Sequence, residues 1–352
     1  MATGIGYKSI MGVGKQSAYR TAVDATDRAL MVSEGIEFDY QQVLHEYLHG
    51  GAGVVDSQRV SEPVSGTVEY VVNYTEKATK FVSSTLPIAL GFGATAWDDT
   101  NSRNQITLAD NIATNGTFAW DKGQGTAPWE AVGCYVNALT LACNAGEAMT
   151  LSTELKAYDL VYSNTSNTTV ELAALPSDQP KLCLFSDMVF QVNSQDGALG
   201  SSDNIGISSF TVNVNNTLTD YEQSSPDDSS SHTDAKKTIQ PVRNGFREVT
   251  FEFSMPRYES DYFFDRLTAD NNLQAILAFD QPSSTNDFRI YLPNFKVESV
   301  SASVGGSGVI GQTVTCRCLK KNSASDIAFT DASTDNGEVW IETADERIAS
   351  IL

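Results

Sequence analysis

The residues of this sequence best suited to chemistry lie in one pentapeptide: His45, Glu46 and His49 of HEYLH match the HExxH spacing of zinc hydrolases. On a helix, side chains four apart share a face, so two imidazoles can hold zinc while Glu46 activates its bound water. Ile36, Tyr40, Val43, Leu44, Tyr47 and Leu48 recur at helical spacing, and Gly50 with Gly51 would end such a helix. What the motif lacks is a third protein ligand. His232, the remaining histidine, sits in a Ser/Asp-rich stretch, and Glu62, Glu69 and Glu76 resemble ordinary surface acids. Solvated loop histidines are the expectation; a zinc peptidase is the competing reading, decided by whether the purified protein carries stoichiometric zinc.

Other motifs carry less. GVGKQS at 12–17 is near a phosphate-binding loop, but Ser9 stands where that loop needs Gly and Gln16 where it needs Ser or Thr. Asp220, Asp227, Asp228 and Asp234 lack the spacing and the glycine of a calcium loop. The Asn-x-Ser/Thr triplets at Asn73, Asn115, Asn164, Asn167 and Asn215 matter only in a secreted chain. Three histidines leave no spare base for a Ser-His-Asp or Cys-His arrangement. No catalytic residue, cofactor or metal is assigned.

Composition bounds the rest. The 352 residues suffice for two ordinary domains. Hydrophobic content of 41% is globular, while only 19% of residues are charged and Ser, Thr, Asn and Gly abound, which favours β-structure with many turns. A formal charge of -21 repels nucleic acid as a ligand and excludes sequence-specific DNA binding. It suits a conduit through which DNA slides without sticking. Cys134, Cys143, Cys183, Cys316 and Cys318 form no CxxC pair and read as reduced core thiols. No stretch approaches the roughly 20 apolar residues that span a bilayer, and MATGIGYKSIMGVGKQSAYR lacks the apolar core of a leader, so a protein made soluble in a cytoplasm is expected.

The elements follow from periodicity. The first 30 or so residues read as an extended arm with little core of its own. GTVEYVVNY from Gly66 alternates as a strand, and Ala78, Phe81, Val82 and Leu86 predict a helix after it. CYVNALTLAC and AMTLSTELKAYDL, separated by NAGE, read as a hairpin. The second half repeats this order. PVRNGFREVTFEF from Pro241 parallels PVSGTVEY from Pro63, YESDYFFDRLTADNNLQAILAF reads as its helix, and YLPNFKVESVSAS with VIGQTVTCRCLKK reproduces the hairpin. IEFDYQQVL and FTVNVNNTLTDY open the two copies. Long polar loops, HEYLHGGAGVVDSQRVSE and YEQSSPDDSSSHTDAKK, occupy matching places, and Val339 and Ile341 near the end could add a strand to a sheet edge.

These segments, above all GKQSAYRTAVDATDRALMVSEG, NALTLACNAGEAMTLSTELKAYDL, VNNTLTDY and PVRNGFREVTFEFSM, resemble the tail tube proteins of long-tailed, non-contractile bacteriophages. The resemblance runs from about Gly14 to Lys321 and leaves 322–352 outside the shared pattern. It implies a mainly β fold: two tandem β-sandwich or half-barrel units, each with one flanking helix, an N-terminal arm and a C-terminal extension. The expected divisions are 1–32, 33–165, 166–321 and 322–352. It further implies a virion tail protein, made in the host cytoplasm, that forms homo-oligomeric rings stacked into a tube for DNA ejection. Duplicated subunits of this kind form trimers with six-fold pseudosymmetry and meet tape measure, terminator and tail-tip proteins, with DNA passing unbound. Expected inter-subunit or inter-ring contacts are Lys15, Tyr19, Arg20, Val54, Asp56, Glu62, Asp227, Asp228 and Asp234; Glu69, Glu248 and Glu252 are candidates for a lumen. A tail-tip ring or capsid decoration protein is the alternative within virions, and a secreted adhesin-like sandwich is disfavoured.

Overall fold

The computed structural model describes residues 6–45, 47, 54–77, 80–123, 127–176, 180–220, 236–282, 284–322, 337–344, 347 and 350–352. Strands dominate. The first half runs through β1 (Ile10–Lys15), β2 (Asp27–Ala29), β3 (Met31–Glu34), β4 (Glu37–Phe38), β5 (Gln41–Leu44), β6 (Ser57–Ser61), β7 (Val64–Val71), β8 (Glu76–Lys77) and β9 (Phe81–Val82) to helix α1 (Thr85–Phe92). It continues with β10 (Gly93–Asp98), β11 (Arg103–Leu108), β12 (Gly116–Asp121), β13 (Trp129–Asn144), β14 (Thr150–Ala157) and β15 (Asp159–Val161), and a short α2 (Thr169–Ala173) follows. The second half holds β16 (Met188–Ser194), β17 (Ser209–Asn215), β18 (Leu218–Thr219), β19 (Val242–Arg243), β20 (Glu248–Met255), α3 (Tyr262–Ala269), β21 (Leu273–Asp280), β22 (Asp287–Ser301), β23 (Gln312–Cys318) and β24 (Trp340–Ala344).

The two longest strands organise everything else. β13 is buried on both faces over its first part and alternates thereafter, because its first part pairs with β12 and β15 in a backing sheet and its last with β14 and β17 in a front sheet. β22 does the same, pairing first with β21 and β24, then with β23. Against its hairpin partner each changes register, between Val136 and Ala138 against β14 and between Val297 and Ser299 against β23. A bulge at that point lets one strand bend from one layer into the other.

The result is a β-sandwich whose front sheet is an antiparallel wall in the order β3 with β4, β7, β14, β13, β17, β20, β23, β22. Along these strands apolar and polar side chains alternate, as in the burial of β17 and β20, so one face is core and the other solvent. Val68, Tyr70, Leu139, Leu141, Leu151, Val212, Phe251 and Phe253 belong to one core cluster that runs through both halves. Fully burying a side chain of this size contributes about 1.5–3 kcal/mol. Phe251, Phe253, Phe190 and Phe263 lie ring to ring at 5.1 to 5.8 Å.

The halves repeat the same pairings. β1 joins β12 as β16 joins β21, β7 joins β14 as β20 joins β23, β13 joins β15 as β22 joins β24, and the hairpin β5 with β6 matches β18 with β19. The β10–β11 hairpin is inserted in the first half, where it receives β24 at its edge.

Several local expectations are corrected. The helix in the first half begins at Thr85, and Phe81 and Val82 form strand β9. In the second half the helix stops at Ala269, and LQAILAFD is strand β21, buried on both faces at 273–275 and alternately beyond. The amino-terminal segment is not without core: Met11 and Val13 of β1 are fully buried between β2 and β12. Val339 and Ile341 do bring a strand to the sheet, but β24 lies between β11 and β22, not at an outer edge.

Candidate assembly surface

The wall's solvent face runs across both halves of the chain. Directly opposed residues share a face, so the row Ser33, Glu69, Ser152, Thr140, Asn213, Thr250, Arg317 runs across it. Glu248 and Glu252 stand on this face beside Thr250, and Glu154 and Glu298 join them. Thus Glu69, Glu248 and Glu252 stand on one face of the wall.

Short side chains hold the carboxylates in place. Ser33 Oγ donates to Glu69 at 2.9 Å, Thr315 Oγ1 to Glu252 at 3.2 Å and Asn137 Nδ2 to Glu154 at 2.9 Å. Arg317 lies 3.0 Å from Glu298 and 3.4 Å from Glu248. With Lys156 tied to Asp220 at 2.5 Å, the face is threonine, serine and asparagine punctuated by acids, with its bases neutralised locally.

At both ends of the wall the backbone has no strand partner among the described residues. β3 and β4 pair with β7 on one side, and the last part of β22 pairs with β23 on one side. Gly66 lets the first edge form: a Cβ there would come within 2.3 Å of the Gly35 carbonyl oxygen. Next to that edge the β5–β6 hairpin is exposed nearly throughout, with Tyr40, Val43, Leu44, Val54, Val55 and Val60 in solvent. Arg59 covers Tyr40 at 3.6 Å and Phe38 stacks on it at 4.8 Å.

Of the expected contact residues, Val54 and Asp56 lie on this hairpin, where the Asp56 carbonyl accepts from His45 N–H at 2.8 Å. Glu62 pairs with Arg59 at 3.1 Å, and its N–H donates to the Lys236 carbonyl at 2.7 Å, which brings the two long loops together at their bases. Lys15 is exposed at the end of β1. Tyr19 packs inward on Tyr135 and Tyr158 at 5.8 and 5.5 Å, and burial drives its hydroxyl pKa up. Arg20, at a positive φ of 76°, lies 4.9 Å from the Tyr158 ring centre. Asp227, Asp228 and Asp234 lie outside the described residues.

The zinc motif loses its helix where it is described. Gln41–Leu44 is a strand and His45 continues the hairpin; Glu46, Leu48, His49 and His232 lie outside the described residues. Among the described residues no three His, Cys, Asp or Glu side chains gather as a metal-ligand set. GVGKQS is β1 and its end: Gly12 and Gly14 admit Ala25 and the Asp24 carbonyl, each of which would meet an added Cβ at 2.5 Å. No helix among the described residues is long and apolar enough to cross a membrane.

Sequence reasoning missed the buried charges behind the wall. Arg103 grips Asp287 with two hydrogen bonds of 2.8 Å and reaches Glu342 at 3.5 Å, while Tyr291 donates to Glu342 at 2.8 Å. Arg347 pairs with buried Asp27. The ion pairs of Arg103 and Arg347 span 184, 239 and 320 positions of sequence, distances over which no local pattern signals a partner.

A family model described as phage tail tube protein matches residues 6–318 of the chain. No curated protein sequence matches it.

Proposed function

Because this chain belongs to the phage tail tube protein family and is a structural component of the virion tail, we propose that its copies close side by side into rings and that the rings stack into the conduit through which DNA leaves the particle. The observation that carries this reading is the wall: one apolar face against the core, one polar face in solvent, and an open backbone edge at each end. In a monomer such edges invite uncontrolled pairing; in a ring each finds its complement.

Three copies, each with the two repeats carried by 33–165 and 166–321, give a ring of six similar units. β1 and β24 lie outside those bounds and complete the units by their pairings. The wall's polar face lines the lumen, so Glu69, Glu248 and Glu252 meet the DNA. A lining of acids and short neutral side chains adds no phosphate contacts that passing DNA would have to break. The loops at 54–62 and 221–237, including Val54, Asp56, Glu62, Asp227, Asp228 and Asp234, meet the next ring. Lys15, Tyr19 and Arg20 support that contact. Tape measure, terminator and tail-tip proteins are the further partners, and the reading needs no cofactor, enzyme activity or membrane.

The test is to express the full-length chain alone and class-average negatively stained particles end-on. Rings of three bilobed subunits are expected. Hexameric rings of single-lobed subunits would keep the tube and refute the repeat, and a chain that stays monomeric at high concentration would overturn ring formation by this protein alone.

A further inference from the structure

The seam that joins the two halves inside the chain is, we propose, also the seam between one copy and the next, with the same partners residue for residue; this rests on the ring reading above. Inside the chain, β17 closes on the free edge of β13, pairing Ala138 with Asn215, Leu139 with Val214 and Thr140 with Asn213. The open edges of the chain are the counterparts of these two strands.

The bulges fix the correspondence. β13 slips by one residue between Val136 and Ala138, and β22 slips between Val297 and Ser299, so Ala138, Leu139 and Thr140 match Ser299, Val300 and Ser301. Counting from the same points, Leu155 matches Cys316; their partners Gly66 and Phe251 then match as well. Glu37 and Phe38, opposite Ser65 and Val64, therefore match Asn213 and Val214, opposite Thr250 and Val249. Laying β4 of a second copy on β22 sets Glu37 opposite Ser301 and Phe38 opposite Val300.

Three further observations fit. Leu139 and Val214, inside the seam, are fully buried, while Val300 and Phe38 at the open edges are only partly buried against the core. A second copy would complete their burial. At the bulge of the internal seam, the Asn137 carbonyl accepts from Asn216 N–H and its Oδ1 from Leu218 N–H, both at 2.8 Å. Glu298 holds the same place in β22, and its carboxylate supplies the same kind of acceptor. Tyr40 takes the place of buried Asn216, so this part of the exposed β5–β6 hairpin lies against the neighbour in the same ring.

The internal seam also has the stagger that closure needs. The row of opposed residues meets β7 at Glu69 and β20 at Thr250, whose counterpart in β7 is Ser65, four residues from Glu69. A repeated seam therefore advances one residue per strand. At about 3.3 Å per residue and 4.8 Å between strands this is a tilt of about 35°, at the edge of the range in which closed barrels are built.

The experiment places cysteines at Glu37 and Ser301 in the full-length chain, E37C with S301C, whose native five cysteines are buried. Preassembled protein is oxidised mildly and run on non-reducing gels. Covalent multimers are expected, at least tenfold more abundant than with S33C and S301C, a pair displaced by about 13 Å along the strand. Mixing the two single variants should give dimers and nothing larger, and the mixture serves as the readout should the double variant not assemble. Rings or tubes that fail to cross-link at 37 and 301, or that cross-link equally at 33 and 301, overturn the seam and leave the ring standing. Monomers alone in sedimentation overturn both.

Discussion

Gly66 shows how one side chain can be excluded for the sake of an edge. Its missing Cβ is the space in which Gly35 and Ile36 cross β7, so Gly66→Ala must push the β3–β4 edge away from the wall. The expected cost is about 1–3 kcal/mol in urea unfolding, with faster amide exchange confined to 31–38. Unchanged stability would mean that the edge yields without strain. A larger loss is expected at Arg103, where Arg103→Met leaves buried Glu342 without its cation, leaves Asp287 with Arg289 alone, and costs about 3–5 kcal/mol. Arg59→Met, at an exposed pair with Glu62, costs about 0.2–1 kcal/mol. Equal losses at the two sites would refute the role of burial. The cysteines behave in the same sense: burial pushes the Cys143 thiol up to about 11 and drives those of Cys134, Cys316 and Cys318 well above the usual thiol range. At pH 8 they remain protonated, so a thiol reagent should label none of them until the protein unfolds. Their burial was legible in the absence of any CxxC pattern. The Arg103 cluster was not, since its members meet only after three strands from distant parts of the chain have paired.

At the scale of elements, the sequence marked those whose periodicity is set by one dry and one wet face. β7, β14, β20 and β23 alternate because they belong to the wall, and NAGE announces its turn through Gly146, at a φ of 86°. Where both faces are dry the pattern fails. β21 and the start of β13 are apolar runs that periodicity does not separate from helix, and α1, with every residue buried, has no polar stripe to declare it. β24 is the instructive case: its alternation was visible, but its place between β11 and β22 depends on partners roughly 50 and 235 residues away. Removing residues 338–352 should therefore do more than trim a tail. It uncovers two strand edges and takes fully buried Val339, Trp340 and Ile341 from the core. The truncated chain is expected to aggregate, and amide exchange in Arg103–Leu108 should rise toward that of unprotected backbone. A soluble truncation with β11 still protected would show that β24 is dispensable to the backing sheet.

For the whole molecule, the net charge of -21 acquires a direction once the wall is seen. Sequence placed Glu69, Glu248 and Glu252 on strands, but which side of a strand meets solvent is decided by the core on its other side, here the valines, leucines and phenylalanines of the wall's inner face. If the acid-dotted face lines the conduit, its charge should govern how DNA moves through an assembled tube, and little else. Glu69→Lys, Glu248→Lys and Glu252→Lys combined should leave rings intact, since none of the three contributes to the core and only Glu69 touches an open edge, through one hydrogen bond from exposed Ser33. Each new lysine adds a phosphate contact and steepens the salt dependence of DNA retention by about 0.9 in log–log slope. Variant tubes should hold linear duplex DNA at low salt and release it as salt rises, while native tubes hold none under either condition. Equal retention by both would mean that DNA does not meet this face, and the lumen would then have to be sought on the other side of the sandwich.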